Sequence, residues 1–177
     1  MKELSSLSKC EFRLSDVDSF ILTGIYLDDI NTYSDLNIIQ IGVITRAMAD
    51  RNLPLSFTMN IETRNPNAVP AALNKLEYIT VLDDTEIARG VLNERVYIPP
   101  SGGISVIPLR VTMNLADLFS KESLVALFNL ALNLSDAGGR PSRISLKIKP
   151  YIKAGKKDLI YPGYINVKTE FTSAGEE

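Results

Sequence analysis

The residues in this chain that could do chemistry are few, and their spacing organises none of them into a reaction centre. Asp28-Asp29 and Asp83-Asp84 are adjacent acidic pairs that could share a cation. A metal site usually needs histidine or cysteine, or a dense cluster of oxygen ligands. Both pairs fall in turn sequences, where aspartate is favoured because its side chain bonds the local backbone, and neither continues into a calcium-loop pattern. There is no histidine. The commonest general base, metal ligand and pH switch are therefore all missing. The serines lack a nucleophile-elbow context, and Gly102-Gly103 and Gly138-Gly139 have neither the spacing nor the lysine of a phosphate loop. Carboxylate-pair or Ser–Lys chemistry is the remaining enzymatic alternative, and no spacing marks it. The expectation is a non-enzyme with no catalytic, cofactor-binding or metal-binding residues.

Cys10 is the single cysteine, so no disulfide can form within the chain. It reads as a small, unreactive apolar residue. Lys9 before it is unlike the small residue of a lipid-attachment site. Basic residues gather in one segment: Arg140, Arg143, Lys147, Lys149, Lys153, Lys156 and Lys157, with no acid among them. On a strand, Arg143, Lys147, Lys149 and Lys153 share outward parity and form a candidate face for an anionic partner. The plainer reading is a solvated face whose lysines discourage edge-to-edge pairing. No aromatic residues interleave with these lysines at stacking positions, which argues against nucleic acid as the partner.

The elements that must position these residues follow from patterning. The chain has 177 residues, 45% of them apolar, and a formal charge of −2. That suits one globular domain able to fold without disulfides or metal. No apolar run reaches the ~18 residues of a membrane span. Met1 to Lys9 lacks the apolar stretch of a secretory signal. Glu11–Leu27 reads as one or two strands broken near Asp16–Ser19. Thr32–Asp50 reads as a well-buried helix, with a strand as the fallback; Thr32 and Asp35 resemble a capping box, and Ser34 is a competing N-cap. Leu53–Thr63 alternates strictly and is the clearest strand. Leu76–Leu82 and Thr85–Val91 flank Asp83-Asp84 as a hairpin, with Gly90 at a bulge or bend. Ile104–Asn114 is a strand in which Pro108 implies an edge or a bulge. Leu115–Leu134 is a second helix that Asn114 or Ser120 caps. Arg143–Lys153 and Tyr164–Phe171 are strands, and Lys156–Asp158 is a turn. Short strands with one polar face each pack into two antiparallel sheets. The domain therefore covers residues 11–171, after a flexible lead-in over 1–10 and before a disordered tail over 172–177.

One ordered series of motifs adds to this. A hydrophobic strand runs into Asn65-Pro66-Asn67, followed by Pro70, Leu76-Glu77-Tyr78, an acidic hairpin turn, Ala88-Arg89-Gly90, and Ile98-Pro99 with Gly102-Gly103. In this the chain resembles the late embryogenesis abundant group-2 family, the water-stress and hypersensitive-response domain. The resemblance covers about residues 11 to 171. It implies a mainly β, two-sheet antiparallel sandwich of fibronectin or immunoglobulin type with two added helices. It makes Asn65, Pro66, Asn67, Tyr78 and Gly90 structural motif residues, since asparagine and proline rigidify the exit from a strand. It further implies a non-enzymatic role in stress or desiccation tolerance. No cofactor is expected, the partner is left open among a membrane surface, a glycan and a protein, and the near-neutral total charge argues against nucleic acid. A lipid anchor in a bacterial cell envelope is implied where a leader precedes Met1, and a cytoplasmic location otherwise. The alternative function is a small-molecule or lipid carrier with its pocket between the helices and the sandwich.

Overall fold

The computed structural model describes residues 6–82, 84–118, 128–129, 131–132, 144–154 and 157–167. It is mainly β. In chain order it contains β1 (Glu11–Leu22), β2 (Ile25–Tyr26), α1 (Ile38–Ala49), β3 (Pro54–Asn65), β4 (Ala71–Leu73), β5 (Lys75–Leu82), β6 (Thr85–Leu92) and β7 (Val96–Ile98). These are followed by β8 (Gly103–Asn114), the short α2 (Leu115–Leu118), β9 (Ile144–Ala154), β10 (Lys157–Ile160) and β11 (Ile165–Asn166). A single 3-10 turn, Tyr33–Asp35, precedes α1.

The strands form three sheets among the described residues, where the sequence suggested two. A four-stranded sheet runs β2-β1-β3-β8, a five-stranded sheet runs β10-β9-β5-β6 with β11 also on β9, and β4 pairs with β7. The small third sheet was hidden because three-residue strands carry almost no periodicity. The pairs β1–β2, β4–β7, β5–β6, β5–β9, β9–β10 and β9–β11 are antiparallel. The chain divides into two compact units. One comprises Met1–Ser15, Asn60–Leu109 and Arg143–Glu177; the other comprises Asp16–Met59 and Arg110–Ser142.

Alternation governs burial. Leu55, Phe57, Met59 and Ile61 of β3 are buried, as are Ile107, Leu109, Val111 and Met113 of β8. Each such side chain contributes about 1.5–3 kcal/mol by leaving water. In the second unit Phe20 stacks on Phe57, ring centroids 5.1 Å apart. β8 lies at an edge of its sheet, where Pro108, lacking an N–H, breaks no ladder between neighbours.

Several local expectations are corrected. β1 runs unbroken through Asp16–Ser19, Ser19 taking a positive φ of 56° within it. The β5–β6 register shifts between Thr80 and Val81, and Gly90 pairs regularly with Tyr78. The turn expected at Lys156–Asp158 becomes a strand from Lys157, and the last strand begins at Ile165. The second helix is described only at α2 and at Phe128, Asn129, Ala131 and Leu132. Its remaining length, residues 1–5 of the lead-in expected over 1–10 and the tail over 172–177 lie outside the described residues.

The first helix departs most. It is shorter than expected, and it is capped by Asn37, whose Oδ1 accepts from the N–H groups of Ile39 and Gln40 at 3.0 and 2.9 Å. Thr32 and Asp35 form their box on the 3-10 turn instead. The helix is not well buried: within it only Ile44 is fully enclosed. Its apolar residues run all round the helix, so composition alone could not say which side faces protein.

Candidate functional site

The first unit holds the residues singled out by the sequence, in three arrangements. At the end of β3, alternation carries Asn65 to the buried face, where an amide must find partners. It finds four. Its Nδ2 donates to the carbonyls of Val69 (2.9 Å) and Ile98 (3.3 Å), and its Oδ1 accepts from the backbone N–H of Asn67 (3.1 Å) and from Asn67 Nδ2 (2.8 Å). Asn67 Nδ2 also donates to the carbonyl of Ser6 at 2.8 Å. The carbonyls of Asn65 and Asn67 accept from the N–H groups of Gly102 and Ser101, both at 2.7 Å. Gly102 has φ +83°, a conformation glycine adopts without strain. Gly103 has no room for a side chain, because a Cβ there would press on Pro99. The Asn-Pro-Asn exit, the end of β7 and the loop over 99–103 are thus one hydrogen-bonded assembly.

The second arrangement is the pair Tyr78 and Gly90, opposite each other on β5 and β6. The tyrosine ring covers the glycine, so a Cβ at position 90 would overlap its Cζ and Oη. Partial burial raises the Tyr78 hydroxyl pKa above its ordinary value.

The third is the outer face of the five-stranded sheet. On β9, Ile144, Leu146, Ile148 and Ile152 are buried, so Ser145, Lys147, Lys149 and Tyr151 point outward. Antiparallel register sets Lys75 beside Tyr151, Glu77 beside Lys149 and Ile79 beside Lys147. Glu77 and Ile79 in turn pair with Val91 and Arg89 of β6. Lys75 Nζ lies 3.0 Å from Glu77 Oε1 and 4.3 Å from the centre of the Tyr151 ring. Lys149 Nζ lies 5.7 Å from the centre of the Tyr164 ring. The Tyr151 hydroxyl donates to Glu77, which together with Lys75 and Lys149 lowers the Glu77 pKa. The same hydrogen bond pushes Tyr151 up to about 12. Arg89 chelates Glu86 through Nε and Nη2.

The structure therefore brings Lys147 and Lys149 onto one face. Lys153 is in β9 opposite Asp158, and Arg143 lies outside the described residues. The expected absence of interleaved aromatics does not hold, since Tyr151 lies between Lys149 and Lys153 and Tyr164 borders the face; Glu77 and Glu86 reach the same face from β5 and β6. Tyr151 and the β5 parity of Lys75 and Glu77 were visible in the sequence; the register that sets them beside these lysines was not. Among the described residues no three histidine, cysteine or acidic side chains gather to hold a metal ion. No described helix is long and apolar enough to cross a membrane.

The profile of the late embryogenesis abundant protein family matches residues 60–160, more than half of the chain, and the chain belongs to that family. No curated protein matches it. Among solved structures it is similar to a protein from Archaeoglobus fulgidus, with 16% identity over 67% of this chain and 88% of that one and a TM-score of 0.35. It is also similar to a protein described as a late embryogenesis abundant protein, known from a solution structure. That match has 14% identity over 94% of this chain and 76% of that one, with a TM-score of 0.40. Family membership suggests a role related to stress and water.

Proposed function

We propose that the chain is a non-catalytic, water-stress-related binding and protective domain whose contact with anionic partners is the outer face of the five-stranded sheet. Family membership supports the stress-related and non-catalytic parts. The local charge supports the contact face. Lys75, Arg89, Lys147 and Lys149 stand there against Glu77 and Glu86, four cations to two anions, on a chain whose total charge is −2. Clustered lysines attract anionic lipid headgroups at about 1 kcal/mol per residue near the surface. The two-sheet sandwich topology belongs to the same proposal, since both large sheets bury one set of alternate side chains. A cell-envelope location is proposed on the family resemblance, and membrane fractionation of the source cells checks it.

The deciding experiment measures sedimentation with vesicles containing anionic lipid, against purely zwitterionic vesicles, at low and physiological salt. Binding should fall with salt, because exposed charges are screened. The double variant Lys147→Glu, Lys149→Glu should bind at least about tenfold more weakly, given the loss of two such charges. Equal binding by both proteins would remove this face from the function. The protective role is tested separately, by drying an indicator enzyme with the chain; it fails if an equal mass of an unrelated globular protein protects as well.

A further inference from the structure

Helix α1 is the least expected surface of the molecule. Its sequence, Ile38-Ile39-Gln40-Ile41-Gly42-Val43-Ile44, is as apolar as a core helix, yet Ile38 is 82% exposed, Ile39 74% and Val43 41%. Ile39, Gly42, Val43 and Arg46 recur at three- and four-residue spacing and share one exposed side. Beside them runs an open groove of about 500 Å³, whose walls include Thr23, Ile39, Gly42, Val43, Ala47 and Asn52. A side chain added at Gly42 would meet nothing, so the stripe has a dent at its centre. Aliphatic side chains left in water at adjacent positions cost free energy that a covering surface would recover.

We propose that this surface docks α1 of a second copy of the chain, antiparallel, about a two-fold axis near Gly42 and Val43. Charge selects the partner. Asp35, exposed in the turn that leads into α1, accepts from the N–H groups of Asn31 and Thr32 and puts a carboxylate at the N-terminal end; Arg46 and Arg51 are exposed at the C-terminal end, where Asp50 pairs with Arg46 and leaves one positive charge over. An antiparallel arrangement lays the acidic end of each copy against the basic end of the other, and two-fold symmetry makes that match twice. It also opposes the two helix dipoles. A bilayer is a poorer match: no lysine occurs between Lys9 and Lys75, whereas helices that lie in a membrane surface are rich in basic residues on their polar side. Area sets the strength. Twelve residues of helix are about 18 Å long. The strip one copy can bury is then on the order of 400 Å², half the share of a standard interface. The dimer is accordingly weak, with Kd on the order of 0.1–1 mM.

The test is sedimentation velocity of the wild-type chain from about 10 µM to about 1 mM, a range that spans this Kd. The average mass should climb from monomer toward dimer, and less steeply at high salt. Val43→Glu, at an exposed position beside the axis, should keep the circular dichroism spectrum and melting temperature of the wild type while weakening association more than about tenfold, since the two-fold brings the two new carboxylates together inside the interface. Orientation is checked in a Cys10→Ser background: Val43→Cys should cross-link to a dimer under mild oxidation, and Thr112→Cys, exposed on β8, should not. A chain that stays monomeric at the highest concentration, or associates equally as Val43→Glu, overturns the proposal. So does a monomer whose binding to zwitterionic vesicles is abolished by Val43→Glu, which would assign the stripe to a bilayer.

Discussion

The ring of Tyr78 fills the space that a side chain at position 90 would need. Gly90 is therefore required by a neighbour on the adjacent strand, since its own φ is not positive and its register with Tyr78 is regular. An aromatic laid across a strand glycine covers the backbone that the missing side chain exposes. Gly90→Val should destabilise the fold by about 1–3 kcal/mol, the usual cost of forcing extra volume into a packed site. In the Tyr78→Ser background the same substitution should cost little, because the space is then free. A double-mutant cycle by urea denaturation measures the coupling. Additive effects would mean that glycine is needed at position 90 for some other reason.

Asn65 should prove the most sensitive polar residue of the first unit. Asn65→Ala leaves the carbonyls of Val69 and Ile98 and the N–H of Asn67 without their side-chain partner in a buried place. Unmet buried groups cost about 1–3 kcal/mol each, and partial relaxation brings the total to roughly 2–5 kcal/mol. Asn67→Ala should cost roughly 1 kcal/mol, since its side chain is less enclosed and makes two of these bonds. Equilibrium urea unfolding ranks the two. Near-equal losses would contradict the central place given to Asn65.

What the sequence disclosed and what it hid separate along physical lines. The alternation from Leu55 to Ile61 survives into the structure because a period of two can be satisfied locally, with one side buried and the other wet. The hairpin around Asp84, the edge position of Pro108 and the cap at Asn114 were legible for the same reason, each being a matter of neighbouring residues. The role of Asn65 was half legible: its type and place marked a strand exit, but its partner Ile98 is 33 residues away. The charged face was legible only as a run of lysines. Its acids and its second tyrosine arrive from β5, β6 and the segment before β11, through a register that no single strand encodes. The exposure of α1 was illegible because an apolar sequence states a preference for burial and not whether a surface is at hand to provide it.

The hydroxyl of Tyr151 should titrate late. Its hydrogen bond to Glu77 and the nearby negative charge favour the protonated phenol, pushing it up to about 12. A folded-state pKa raised above the unfolded value near 10 gives stability that is full below pH 10 and is lost as the pH rises toward 12. The carboxylate of Glu77 works in the opposite direction. Its pKa is lowered, so its contribution is present above the ordinary carboxylate range and disappears as the pH falls through the folded value. Ultraviolet absorbance titration should resolve one tyrosine above the rest, and Glu77→Gln should bring that tyrosine back toward 10. A titration curve unaltered by Glu77→Gln would separate the two side chains.

Cys10 should stay a protonated thiol at any physiological pH. Its Sγ donates to the carbonyl of Ser6 at 3.4 Å, and burial, with Glu11 adding to it, pushes its pKa from 9.0 to about 11. The thiolate is the reactive form. At pH 8 the raised value leaves about a hundredfold less thiolate than an ordinary cysteine would have. The residue is only partly enclosed, so access is not the main obstacle. Alkylation by a small reagent should therefore be slow in the native chain, rise about tenfold with each pH unit until pH 11 is approached, and reach the rate of a model thiol once urea unfolds the protein. A rate that levels off near pH 9 would show that the folded environment leaves the thiol at its ordinary acidity. A rate that is slow at every pH would instead mean that the sulfur is closed off from solvent by packing.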